Sequence, residues 1–129
     1  MTLGELYRAA KTALEPVTED PTFEAACLLE HFCGANRTEL LLHGDKPAES
    51  EAEQAVLSAL EKRKTGEPLQ YLLGEWDFMS LTLSCGEGVL IPREDTAVLV
   101  EAVCKRLSKT ENLPKGLDLC AGTGAVAVS

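Results

Sequence analysis

The residues best suited to chemistry occupy positions 117 to 128: Leu117, Asp118, Leu119, Cys120, Ala121, Gly122, Thr123, Gly124, Ala125, Val126, Ala127 and Val128. An apolar run carrying one acid leads into a small-residue turn, and a second apolar run follows. That order predicts a buried strand, a tight glycine loop and the first turn of a helix. Glycine has no Cβ, so a loop of this kind lets a ligand approach bare backbone. Three ligand classes use such a loop. A triphosphate-cradling loop needs GxxxxGK[ST], and no lysine follows Gly124. A dinucleotide loop needs GxGxxG; Gly122 and Gly124 fit its first two glycines, and Ala127 takes the third place, which that pattern tolerates. The third class is S-adenosylmethionine, which has an ammonium, a carboxylate and a sulfonium but no phosphate. Asp118 favours this class. A carboxylate at the strand end can meet the cationic amino-acid part, while loop amides meet its carboxylate. From this segment alone, a glycine turn without a ligand stays open as well.

Other reactive side chains point to no site. Cys27, Cys33, Cys85, Cys104 and Cys120 are odd in number and contain no CxxC pair. They read as reduced thiols used as small hydrophobes in a reducing, cytoplasmic compartment. His31 and His43 do not give a metal-ligand spacing with them, so no metal is expected. The net charge is −9, which disfavours a nucleic-acid partner. Lys62, Arg63 and Lys64 form the one basic run, at the end of a predicted helix where cations complement the last carbonyls. No apolar run is long enough to span a membrane, and no signal peptide is visible at the N-terminus.

The elements that position the loop follow from periodicity. Thr2 caps a first helix with Leu3, Leu6, Tyr7, Ala10 and Leu14 on one stripe, ended by Pro16. Asp20 and Pro21 start a second helix, apolar on more than one side through Phe23, Ala26, Cys27, Leu28, Leu29 and Phe32, with Gly34 as its stop. Thr38 opens a short helix closed by Gly44. A long helix from about Ala48 to Lys64 turns Ala52, Ala55, Val56, Ala59 and Leu60 inward. Pro68 starts one further turn, ended by Gly74. Trp76 and Phe78, then Leu81 and Leu83, alternate with polar residues and predict a hairpin. Val89, Leu90 and Ile91 are extended before Pro92. Asp95 or Thr96 caps a last helix that buries Val98, Leu99, Ala102, Val103 and Leu107, and a polar loop over 108–115 follows.

Three separated motifs then coincide. The first is Pro68, Leu69, Gln70, Tyr71, Leu72, Leu73 and Gly74, with Phe78 beyond it. The second is Gly88 through Val89, Leu90, Ile91, Pro92, Arg93, Glu94, Asp95 and Thr96, and the third is the loop from Asp118 to Ala127. In order and spacing they resemble P-x-Q-Y-I-x-G…F…V-L-I-P-R-P-E-T-E and D-L-G-T-G-[ST]-G-A-I-A of the HemK/PrmC family. That family methylates the glutamine of the GGQ motif in class I peptide-chain release factors. The resemblance implies an α+β fold class: an N-terminal helical bundle, then a β-hairpin, a helix and the first strand–Gly loop of a class I, Rossmann-like methyltransferase domain. It divides the chain into a helical substrate-recognition domain over 1–73 and the start of a methyltransferase domain over 74–129.

The same resemblance implies S-adenosylmethionine as cofactor and release factors as partners, with no membrane. It assigns cofactor contacts to Asp118, Cys120, Ala121, Gly122, Thr123 and Gly124, and flanking ones to Arg93 and Thr96. Structural alternatives are an ion pair for Arg93 and a helix cap for Thr96. Cys120 stands where the family has a glycine, and Ala121 where it has a threonine. Glu94, Asp95 and Ala97 replace Pro, Glu and Glu. The family's N-P-P-Y motif, which holds the glutamine amide, lies beyond the glycine loop and is not in this sequence. The sequence therefore reads as an N-terminal fragment with no catalytic residue of its own. A lone central strand has no neighbours, so residues beyond about 109 are expected to pack poorly or to pair with the hairpin or another copy. Two rivals are an N6-adenine nucleic-acid methyltransferase, which the acidic charge opposes, and a helical protein-binding module without catalysis.

Overall fold

The computed structural model describes residues 1–112 and 114–129; Leu113, inside the expected polar loop, lies outside the described residues. Two compact units divide the chain, Met1–Leu73 and Gly74–Ser129.

The first unit is helical: α1 (Leu3–Leu14), α2 (Pro21–Cys33), α3 (Arg37–His43), α4 (Ser50–Lys64) and α5 (Leu69–Leu73). Local sequence sets the helix ends. Thr2 and Glu5 form a reciprocal capping box on α1. Asp20 accepts from the Phe23 amide at 3.0 Å with Pro21 in the first turn of α2. Gly34 ends α2 at φ 64°, a left-handed conformation that a Cβ disfavours. The start of α3 differs from expectation. Asn36, not Thr38, is the cap, accepting from the Glu39 amide at 2.9 Å. α4 starts at Ser50, two residues later than expected.

The core of this unit is Leu6, Ala10 and Leu14 of α1, Ala25, Leu28 and Leu29 of α2, and Val56, Ala59 and Leu60 of α4. α2 is central, packing against α1, α4 and α5. Its buried face is Ala25, Leu28 and Leu29, while Phe23, one of the residues that make the helix apolar on more than one side, is 49% exposed. The chain start is sewn to the α3–α4 turn by Leu3 N–H to Lys46 O at 2.9 Å and Gly4 N–H to Gly44 O at 2.8 Å. This approach needs bare backbone: a Cβ on Gly4 would sit 3.0 Å from the Gly44 carbonyl.

The capping box gives a pH dependence. The hydrogen bond from the Thr2 amide, then that from its hydroxyl, holds the Glu5 carboxyl below the usual glutamate range. A lowered folded-state pKa adds stability above the unfolded value, and that stability is lost as pH falls through the folded one. Thermal melts of wild type and Glu5→Gln are therefore expected to differ at neutral pH and to converge below about pH 4. A gap that stays constant with pH would contradict this.

In the second unit, β1 (Glu75–Phe78) and β2 (Leu81–Ser84) pair antiparallel, Trp76 opposite Leu83 and Phe78 opposite Leu81. The apolar residues share one face, as the alternation predicts. On the other face the Thr82 hydroxyl donates to Asp77 at 2.7 Å. Ile91 is buried while Leu90 is 80% exposed. α6 (Glu94–Leu107) and a four-residue α7 (Ala125–Val128) complete the unit. The whole is a helix-rich, mixed α+β chain.

Two expectations fail here. Only Val100 of α6 is buried, and Val98, Leu99, Val103 and Leu107 are 44–67% exposed. Residues 117–119 form no strand, Leu119 already lying in a turn, with Leu117 at 88% and Leu119 at 79% exposure. The reason is the same for both. A strand needs a neighbour for its amides and carbonyls, and an apolar helix face needs a covering layer. Among the described residues neither is present; the one sheet is the β1–β2 hairpin.

Candidate functional site

The glycine loop keeps its expected local form although its strand does not. Cys120, Gly122 and Gly124 all have positive φ, at 58°, 59° and 79°. Gly124 precedes α7, and its amide donates to Ala121 O at 2.9 Å. Among the described residues, the amides of Gly122 and Thr123 donate to no protein acceptor. A Cβ at Gly122 or Gly124 would meet nothing within 4 Å, so φ rather than crowding favours glycine there.

Cys120 has a side chain in a region that costs an L-residue roughly 1 kcal/mol or more. The family has a glycine at this position, and the backbone angle gives a physical reason for it. Cys120→Gly is expected to relax the loop and leave the helical unit's stability unchanged. Hydrogen exchange at residues 120–124 and a thermal melt check this. Destabilisation of the helical unit would contradict it.

An open groove of about 600 Å³ lies beside the loop. Its walls include Leu99, Val103 and Leu107 of α6, Leu117 and Asp118 ahead of the glycine loop, and Val126 of α7. Asp118 thus borders an apolar surface, and its carboxylate forms no hydrogen bond or ion pair among the described residues. Cys104 lines the same groove and was not singled out from sequence. The signal was available: 99, 100, 103, 104 and 107 recur at helical spacing.

The other sequence-selected residues are not gathered here. Cys120, Ala121, Gly122, Thr123 and Gly124 form the loop next to the groove without lining it. Arg93 is the residue before α6, makes no side-chain cap, and forms no ion pair among the described residues. Thr96 lies inside the first turn of α6 rather than at its cap, its amide donating to Arg93 O at 3.1 Å. The groove begins at Leu99, so both lie at the far end of α6 from its main walls. The basic run at 62–64 also acquires a role beyond helix termination, because Arg63 pairs with Glu24 of α2.

A helical unit followed by a hairpin and a glycine loop ahead of a helix is the class of chain that the fold defines. A family model described as the PrmC N-terminal domain matches residues 5–74, over half of the sequence. The chain belongs to that family. It is 39% identical over 124 residues to the release factor glutamine methyltransferase of Haemophilus influenzae, covering 93% of this chain and 42% of that one. It is 40% identical to proteins of the same name from Moorella thermoacetica and Escherichia coli. Those matches cover 100% and 87% of this chain and 46% and 40% of theirs. The chain therefore spans less than half the length of these curated relatives. Among the described residues, no helix is long and apolar enough to cross a membrane.

Proposed function

We propose that this chain is the N-terminal part of a release factor glutamine methyltransferase. The whole protein transfers a methyl group from S-adenosylmethionine to the side-chain nitrogen of the GGQ glutamine. The observation that carries this reading is identity of about 40% to proteins of that name, running through both the helical unit and the glycine loop. The helical unit is then the substrate-recognition domain, and residues 74–129 begin a Rossmann-like methyltransferase domain.

The residues present suit the cofactor. S-adenosylmethionine supplies an activated methyl on a sulfonium that leaves as a neutral thioether. Asp118 offers an uncommitted carboxylate for the ammonium of its amino-acid part. The amides of Gly122 and Thr123, directed by the positive φ angles around them, offer donors for its carboxylate. Cys120 and Ala121 shape the turn, and Gly124 leads into α7. Arg93 and Thr96 are flanking contacts in the proposal. Placing the glutamine amide for in-line attack is the task of the N-P-P-Y motif, which is not in this sequence. The chain alone is thus expected to transfer no methyl group.

Asp118→Ala tests the binding role. In a longer protein that includes the N-P-P-Y region, the substitution is expected to weaken S-adenosylmethionine binding by roughly 10- to 100-fold, the worth of one charge-assisted hydrogen bond. Isothermal titration measures it. Unchanged affinity would remove Asp118 from the site.

A further inference from the structure

The second unit carries an apolar surface that its own residues leave open. Leu99, Val103 and Leu107 of α6 recur every fourth position and form one stripe, which walls the groove of about 600 Å³ together with Leu117 and Val126. Val100, beside the stripe, is buried and turns that side of α6 into its own unit. The stripe itself stays in solvent, as does Leu117. Contiguous apolar surface of this kind marks an interaction site.

Charge on α6 says what fits this face. Asp95 and Arg106 are about three helical turns apart, so both stand on one flank of the stripe, away from Val100. Both are exposed, and neither forms an ion pair among the described residues. An acid at the start of the flank and a base at its end complement a second α6 only when it runs antiparallel. With a two-fold axis beside residue 101, Leu99 lies opposite Val103 of the second copy. Asp95 then comes within one residue rise, about 1.5 Å, of Arg106 of the second copy, and symmetry makes the same pair again. A parallel arrangement would set Asp95 against Asp95 and Arg106 against Arg106, like charge on like.

We propose that this face docks a second copy of the chain, α6 antiparallel to α6, with the two apolar stripes in contact and two Asp95–Arg106 pairs fixing the register. Further chain is the rival cover for the same face in a longer protein, since the relative from Haemophilus influenzae is more than twice this length. The flank favours the second copy because it is complementary to itself.

Sedimentation of the 129-residue chain over a roughly hundredfold range of concentration tests it. Wild type is expected to shift from monomer to dimer as concentration rises. Val103→Glu, which sets a carboxylate in the apolar seam, is expected to weaken association by roughly tenfold or more. Glu101→Ala, on the opposite side of α6, leaves it unchanged. Asp95→Arg and Arg106→Asp each weaken it by roughly tenfold, and the two together return it to near the wild-type value. Helix stability cannot produce that rescue, because both substitutions oppose the α6 dipole. Circular dichroism verifies that each variant keeps its helix. A double variant that associates no better than the single ones overturns the proposal. So does a wild-type chain that is monomeric at every concentration, which leaves the face to the further chain of a longer protein.

Discussion

Arg63→Ala is expected to destabilise the helical unit by about 3–5 kcal/mol. Arg63 lies on α4 and Glu24 on α2, and their side chains are 17% and 10% exposed. The guanidinium meets the carboxylate with two parallel bonds, Nε to Oε2 at 2.8 Å and Nη2 to Oε1 at 3.0 Å. A third contact from Nη1 reaches the Glu67 carbonyl at 3.5 Å, in the turn ahead of α5. The bonds to Glu24 hold the guanidinium's pKa above its ordinary value, so it stays charged. Glu24 is the one charged residue buried among the described residues. Removing Arg63 leaves its carboxylate dehydrated and unpaired, which costs more than the pair contributes. Glu24→Ala is expected to cost less, because the long arginine stem can carry its charge back to water. Arg63→Lys keeps the charge but loses the fork, and should fall between wild type and Arg63→Ala. Urea denaturation followed by circular dichroism measures the series. A change under about 1 kcal/mol for Arg63→Ala would show that the pair is not structural.

Leu28→Ala is the second large effect, about 2–5 kcal/mol from lost apolar burial and the cavity left behind. Leu28 is fully buried on α2, the helix that touches α1, α4 and α5, so no single neighbour can close the gap. In a unit of this size each kcal/mol moves the melting temperature by roughly 4–8 °C. Leu42 makes the contrast. It has the same side chain, but on α3 it is 69% exposed, and Leu42→Ala should change stability by no more than about 0.5 kcal/mol. Thermal melts of the two variants separate these cases. Similar shifts for both would mean that the α2 face is wrongly assigned.

Helix ends were readable in the sequence because capping is local: Thr2, Asp20 and Gly34 act on their own turns. The hairpin was readable because its alternation has period two and its strands adjoin. The buried face of α2 was not, since a helix apolar all round lets its neighbours choose, and they chose Ala25, Leu28 and Leu29 over Phe23. The Glu24–Arg63 pair was hidden by separation: a basic residue near a helix C-terminus has a sufficient local explanation, and its partner lies 39 positions away. Asn36 shows a smaller version of the same difficulty, because two polar residues near one helix start both qualify as caps.

For the candidate site, composition marked the glycine loop and the acid before it, and the loop formed with its positive φ angles. The strand in front of it did not form, because strand pairing depends on residues outside the segment. Cys120 is a departure from the family's glycine. Its φ of 58° gives that departure a physical meaning that side-chain chemistry alone did not supply.

The proposed function makes this chain the beginning of a release factor glutamine methyltransferase. The most direct measurement is transfer of labelled methyl from S-adenosylmethionine to a class I release factor, using a protein that contains this chain and the N-P-P-Y region. Label is expected on the GGQ glutamine, with none on a factor whose glutamine is replaced by alanine and none on DNA. Label on adenine, or failure of the longer protein to bind S-adenosylmethionine at all, would contradict it.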